Sequence, residues 1–105
     1  MTEQEIKNSI LDYLSWKREC FVWPNDSVGI YDPIRKIYRK KNSKFHIRGV
    51  SDILGIFRER ALAIEVKTQK GKVSPEQLEF ISKFNKSGGI AFVARSVEDV
   101  ERELK

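Results

Sequence analysis

Two strand-length apolar runs separated by three charged residues limit what this chain can become. Val50, Ile53, Leu54, Ile56 and Phe57 make the first run, Ala61 to Val66 the second, and Arg58-Glu59-Arg60 stands between them. Runs this short, rich in aliphatic residues and joined by a polar turn, read as a β-hairpin. Folding back at the turn brings Asp52, near the start of the first strand, close to the end of the second. There, thirteen residues on, Glu65 stands two before Lys67, and both point to one face by the strand period. Two carboxylates and an ammonium converge at the open end of the hairpin.

The remaining elements follow from periodicity and caps. Thr2 caps a helix whose apolar positions, Ile6, Ile10, Tyr13 and Leu14 with the stem of Lys17, recur at three and four and carry it to about Arg18. Glu3 continues that inward stripe while Glu5 faces the opposite side; Glu3 either complements the positive end of the helix dipole or serves a site. Phe21-Val22-Trp23 starts a short strand ended by Pro24 and Asn25, and Trp16 and Trp23 read as core or rim packing. From Asn25 to Ile47 periodicity is lost, giving a long excursion with a short strand around Ile34 to Tyr38. Ser74-Pro75-Glu76-Gln77 opens a second helix that runs to about Lys86, with Leu78, Ile81 and Phe84 as its buried stripe and Gln77 on the same side. Gly88-Gly89 stops it, Ile90 to Ala94 is an apolar strand, and Ser96 caps a last amphipathic helix, Val97 to Leu104. A hairpin pairs antiparallel, and the crossover through the second helix permits a parallel partner for its second strand. The expected fold is α/β, a mixed β-sheet flanked by helices.

Composition bounds the chemistry. A chain of 105 residues, 40% hydrophobic, supports one core, so residues 1–105 are read as a single domain. Charges interrupt every apolar run, which leaves no membrane span and no signal-peptide core; a soluble, cytoplasmic protein is expected, in the host cytoplasm if a virus encodes it. Cys20 and His46 are each the only residue of their type, so neither an internal disulfide nor a zinc quartet can form, and a metal would need oxygen ligands. The net charge of +5 is concentrated: from Tyr31 to Arg48, the cations Arg35, Lys36, Arg39, Lys40, Lys41, Lys44 and Arg48 stand against Asp32 alone, a local +6. Tyr31, Tyr38, Phe45 and His46 are interleaved with them. A solvated loop is the bland interpretation; a run this one-sided, just upstream of the converging carboxylates, favours nucleic-acid backbone contacts with occasional base stacking. No base-reading motif is present.

The ordered set resembles the PD-(D/E)XK nuclease superfamily, and more narrowly its VRR-NUC domains of the standalone viral and bacterial type. Gly49-Val50-Ser51-Asp52 matches the first acidic motif, with Ser51 where the superfamily name has proline; Glu65-Val66-Lys67 matches the second. Ser74-Pro75-Glu76-Gln77, Gly88-Gly89 and Arg95-Ser96 before an acidic helix complete the likeness. The resemblance implies a restriction-endonuclease-like αβββαβ core. It further implies that Asp52, Glu65 and the main-chain carbonyl of Val66 hold Mg2+ or Mn2+, with Glu3 reaching the ion through water. Lys67 would orient or help deprotonate the attacking water, or offset phosphate charge. Gln77 would hold substrate or water, or else only complete a capping box. Standalone members look like structure-selective endonucleases related to Holliday-junction resolvases, which implies a homodimer acting on branched DNA. The basic residues from Arg35 to Arg48 would then grip its backbone. A less selective restriction-type or nicking nuclease, and a non-catalytic nucleic-acid-binding module, are the alternatives, and RNA stays open as a substrate.

Overall fold

The computed structural model describes residues 1–25, 30–39 and 44–105. Helix α1 (Glu3–Ser15) starts at a full capping box: the Thr2 hydroxyl accepts from the Glu5 N–H, and the Glu5 carboxylate accepts from the Thr2 N–H. Ile6, Ile10 and Leu14 are its buried stripe. It ends three residues before the expected Arg18. Trp16 and Lys17 close it with tight bonds to the Tyr13 and Leu14 carbonyls, and Glu19, at φ 57°, turns the chain into β1 (Cys20–Pro24).

The central sheet adds β4 (Ile53–Phe57), β5 (Arg60–Val66) and β6 (Ile90–Ala94) to β1, in the order β1-β4-β5-β6. β1 and β5 pair antiparallel with β4, and β6 lies parallel to β5, so the sheet is mixed. The β4–β5 turn is tighter than the sequence suggests. Phe57 pairs with Arg60, leaving only Arg58 and Glu59 in the turn, at φ 47° and 69°. Those angles match the twist of the flanking strands, so the right-handed hairpin imposes them on residues that do not favour them. Within the excursion, β2 (Ile30–Asp32) and β3 (Ile37–Arg39) form a separate antiparallel pair. The single strand expected around Ile34 to Tyr38 is thus two, with Pro33 and Ile34 in the intervening turn, where proline's fixed φ is an asset.

One sheet face carries the core. Ile53, Phe57, Leu62, Ile64, Val66, Phe92 and Ala94 pack against Ile6, Ile10 and Leu14 of α1 and against Val100 and Leu104, which belong to α3 (Val97–Glu103) and its C-cap. Helix α2 (Pro75–Lys86) lies on the opposite face, over β5 and β6. Its expected buried stripe is not fully buried: Leu78 is 54% exposed, and Ile81 and Phe84 are half-buried. Phe21, Trp23 and Ile56, on the uncovered part of that face, also stand open to solvent. Trp16, read from sequence as core or rim packing, is 85% exposed instead. These elements make the αβββαβ core of a restriction-endonuclease-like fold, with β2–β3 as an insertion and α3 as an extension. Among the described residues no helix is long and apolar enough to cross a membrane.

Candidate active site

The register of the hairpin decides what meets at its open end. The last β4–β5 pair is Ile53 with Ile64, so the next position out sets Asp52 opposite Glu65. Asp52 does not continue the ladder through its main chain alone. Its Oδ2 accepts from the Val66 N–H at 2.8 Å, tying the carboxylate to the strand that carries Glu65. The Asp52 carbonyl accepts from the Asn25 N–H at 2.8 Å, and the Asn25 amide donates to the Ser51 carbonyl at 3.3 Å. Asn25, at the end of β1, therefore pins the 51–52 backbone.

Glu65 is 2% exposed, and its Oε2 is buried with no hydrogen-bond partner. Its Oε1 lies 3.9 Å from the Lys67 ammonium. Burial, then the hydrogen bond and the negative charge of Asp52, push the Glu65 carboxyl up to about 8 against the pull of Lys67. At neutral pH a carboxyl raised this far keeps its proton. A proton is one way of relieving this repulsion; a hard divalent cation is another.

Helix α2 meets this end of the hairpin through Gly49. A Cβ there would stand 2.5 Å from the Glu76 carbonyl carbon and 2.7 Å from the Gln77 nitrogen, and φ is 74°. Only glycine lets the segment leading to Asp52 lie this close to the first turn of the helix. Ser74 and Gln77 form a reciprocal capping box, in which the Gln77 Oε1 accepts from the Ser74 N–H at 2.8 Å. A role toward substrate would therefore fall to the Gln77 Nε2.

With this geometry established, comparison with known proteins is decisive: the family model of the VRR-NUC domain matches residues 10–98. The chain belongs to the VRR-NUC family. A solved structure described as a VRR_NUC domain protein superposes with a TM-score of 0.63 at 20% identity, covering 95% of this chain and 82% of that one, a likeness of fold. No curated protein sequence matches.

The VRR-NUC fold places the other expected residues unevenly. Glu3 is exposed in the first turn of α1, and its charge adds the smallest of the contributions that raise Glu65. Glu5 is committed to capping Thr2. Among the described residues no group of three or more His, Cys, Asp or Glu stands together as a metal site, so the donors at hand are two carboxylates and main-chain oxygen. Arg35 and Lys36 are exposed in the β2–β3 turn, and Arg39 is in β3. Lys44 is exposed with its ammonium over the Phe45 ring, and Arg48 lines a cleft of about 520 Å3 beside α2 together with His46, Phe80 and Phe84. Lys40 and Lys41 lie outside the described residues. Two residues here had no role assigned from the sequence: Asn25, one asparagine in an irregular stretch, and Arg95, whose signal was the Arg95-Ser96 pair of the family resemblance.

Proposed function

We propose that this VRR-NUC domain is a Mg2+- or Mn2+-dependent endodeoxyribonuclease of the PD-(D/E)XK type that cuts branched DNA, four-way junctions first among them, as a homodimer. The observation that carries the reading is the buried Glu65 carboxyl set opposite Asp52, one of its oxygens without a hydrogen-bond partner, with Lys67 on the same strand face. Burying one carboxylate beside another costs stability unless something positive meets them, and a fold that keeps this arrangement has a use for it. The donor set fits a hard cation: carboxylate oxygens of Asp52 and Glu65, with the Val66 carbonyl between the two motif residues as a third. When bound, such an ion supplies Lewis acidity and a more acidic water.

The chain's own residues have distinct tasks in this proposal. Asp52 and Glu65 present carboxylate oxygens to the ion, and while no ion is present Glu65 keeps its proton. Lys67 orients the water that attacks phosphorus and offsets charge accumulating on the phosphate as its bond to the leaving oxygen breaks. Glu3, on α1, adds a distant carboxylate that can act through water. Gln77 positions substrate or water through Nε2. Arg35, Lys36, Arg39, Lys40, Lys41, Lys44 and Arg48 grip the backbone, Arg48 from the cleft beside α2. What favours a dimer is the open apolar face of Phe21, Trp23 and Ile56, because exposed clusters of large apolar side chains on a small domain mark association surfaces.

The test is side-by-side digestion of four-way junction, flap, duplex and single-stranded DNA, and of RNA, by wild type, Glu65→Gln and Asp52→Asn, with magnesium, manganese or chelator. Cleavage of junctions that needs metal and disappears in both variants supports the proposal. Equal cutting of every DNA reassigns the protein to a less selective nuclease, and binding without turnover to a non-catalytic module.

A further inference from the structure

Arg95 is the first residue after β6, and its side chain crosses to the loop that leaves the β5 strand just past Lys67. Its Nη1 donates to the carbonyls of Thr68 and Gly71 (2.8 Å) and, more loosely, Gln69 (3.4 Å). A single guanidinium thus gathers three main-chain acceptors of one turn. Thr68 also accepts from the Gly71 N–H at 3.1 Å, so its carbonyl takes two donors. The turn folds back onto the active strand: a Cβ at Gly71 would lie 3.4 Å from the Lys67 Cβ and 3.2 Å from the Thr68 hydroxyl. Arg95 is itself held, because its N–H donates to Asp99 Oδ2 at 2.8 Å and Ala94, just before it, accepts from the Lys67 N–H. The same loop ends at Ser74, the cap of the helix that carries Gln77.

We propose that Arg95 is a positioning residue for Lys67, its guanidinium locking the Thr68–Gly71 turn against which the Lys67 side chain is set. The proposal deepens the nuclease reading, since Lys67 is the group that reading assigns to water and phosphate. A guanidinium suits the task because the two N–H donors of Nη1 lie in one fixed plane and hold the Thr68 and Gly71 carbonyls together with little loss of freedom per bond. Glutamine is too short to span the turn, and lysine brings one flexible point charge.

The experiment has an arm that needs neither metal nor substrate. Backbone hydrogen exchange over residues 68–71 and 13Cε relaxation of Lys67 are compared between wild type and Arg95→Gln, with thermal melting alongside. Faster exchange at the Gly71 amide and a more mobile Lys67 are expected while the melting temperature stays within a few degrees. Unchanged exchange and relaxation would overturn the proposal. In the cleavage arm, Arg95→Gln should lower kcat roughly ten-fold or more with KM within about two-fold, because a misplacement on the ångström scale acts on the transition state. Guanidinium ion at tens of millimolar should restore activity several-fold to Arg95→Gln and leave wild type unchanged. A raised KM with kcat intact, or full activity in Arg95→Lys, would make Arg95 a phosphate contact and overturn the positioning role. Should wild type cleave nothing, the nuclease reading fails, while the first arm still decides whether Arg95 sets Lys67.

Discussion

Replacing Glu65 by glutamine should make the metal-free protein more stable at alkaline pH while abolishing its response to divalent ions. The Glu65 carboxyl moves from 4.5 to about 8 on folding, chiefly through burial and next through Asp52. Between those pH values the folded chain holds a proton that the unfolded chain has released, so stability falls as pH rises. The contribution is complete below about 4.5 and lost above about 8. At ~1.4 kcal/mol for each tenfold change in proton affinity, it amounts to about 3–5 kcal/mol, a large part of the ~5–15 kcal/mol that holds a typical domain together. Glutamine keeps the size and can donate to Asp52 without ionising. Urea denaturation in chelator at pH 5, 6.5 and 8 reads the effect directly. Wild type should lose most of that amount across the series and Glu65→Gln less than about 1 kcal/mol. At pH 8, millimolar magnesium or manganese should restore stability to wild type and not to the variant. A wild-type profile that stays flat from pH 5 to 8, or an identical slope in the variant, would refute the argument that Glu65 is buried against its own charge.

Three further outcomes follow. Gly49→Ala meets both a positive φ and the backbone of Glu76 at 2.5 Å, so it should cost about 2–4 kcal/mol in chemical denaturation and loosen the Gly49–Gln77 contact. Changing Phe21 and Ile56 to Asp should leave sedimentation purely monomeric at micromolar concentration with the fold intact by circular dichroism; an unchanged sedimentation profile removes that sheet face from the proposed dimer. Neutralising Arg35, Lys36 and Lys44 together should weaken DNA binding and reduce the slope of log affinity against log salt by about three; no change in slope returns these residues to a solvated loop.

Much of the αβββαβ order was legible because its signals are local. Capping boxes at Thr2 and Ser74, a glycine pair after α2, and apolar runs of strand length each declare an element without reference to its neighbours. The meeting of Asp52 with Glu65 was legible too, since a hairpin's arithmetic determines which residues face one another once the turn is located. What could not be read depends on what packs against what. The stripe of α2 looks the same in sequence whether it is sealed by the sheet or left beside an open cleft, and Leu78 is exposed for that reason. Trp16 ends a helix whose apolar face has already turned away, and its size alone carries no information about contact. The two-residue turn of Arg58 and Glu59 escaped because nothing in those side chains announces positive φ. Asn25 and Arg95 act through hydrogen bonds to main chain 26 and 24–27 residues away, a separation over which no spacing rule operates.

The bond from the Val66 N–H to Asp52 has a practical consequence. One oxygen of a motif carboxylate is acting as an extra rung of the hairpin, in the place of a strand carbonyl. Anything that draws Asp52 away, or gathers it more firmly in place, must change the exchange rate and chemical shift of that one amide. Val66 is therefore a native probe of occupancy: a single backbone resonance, needing no label on DNA and no turnover, from which the affinity of each candidate ion could be titrated.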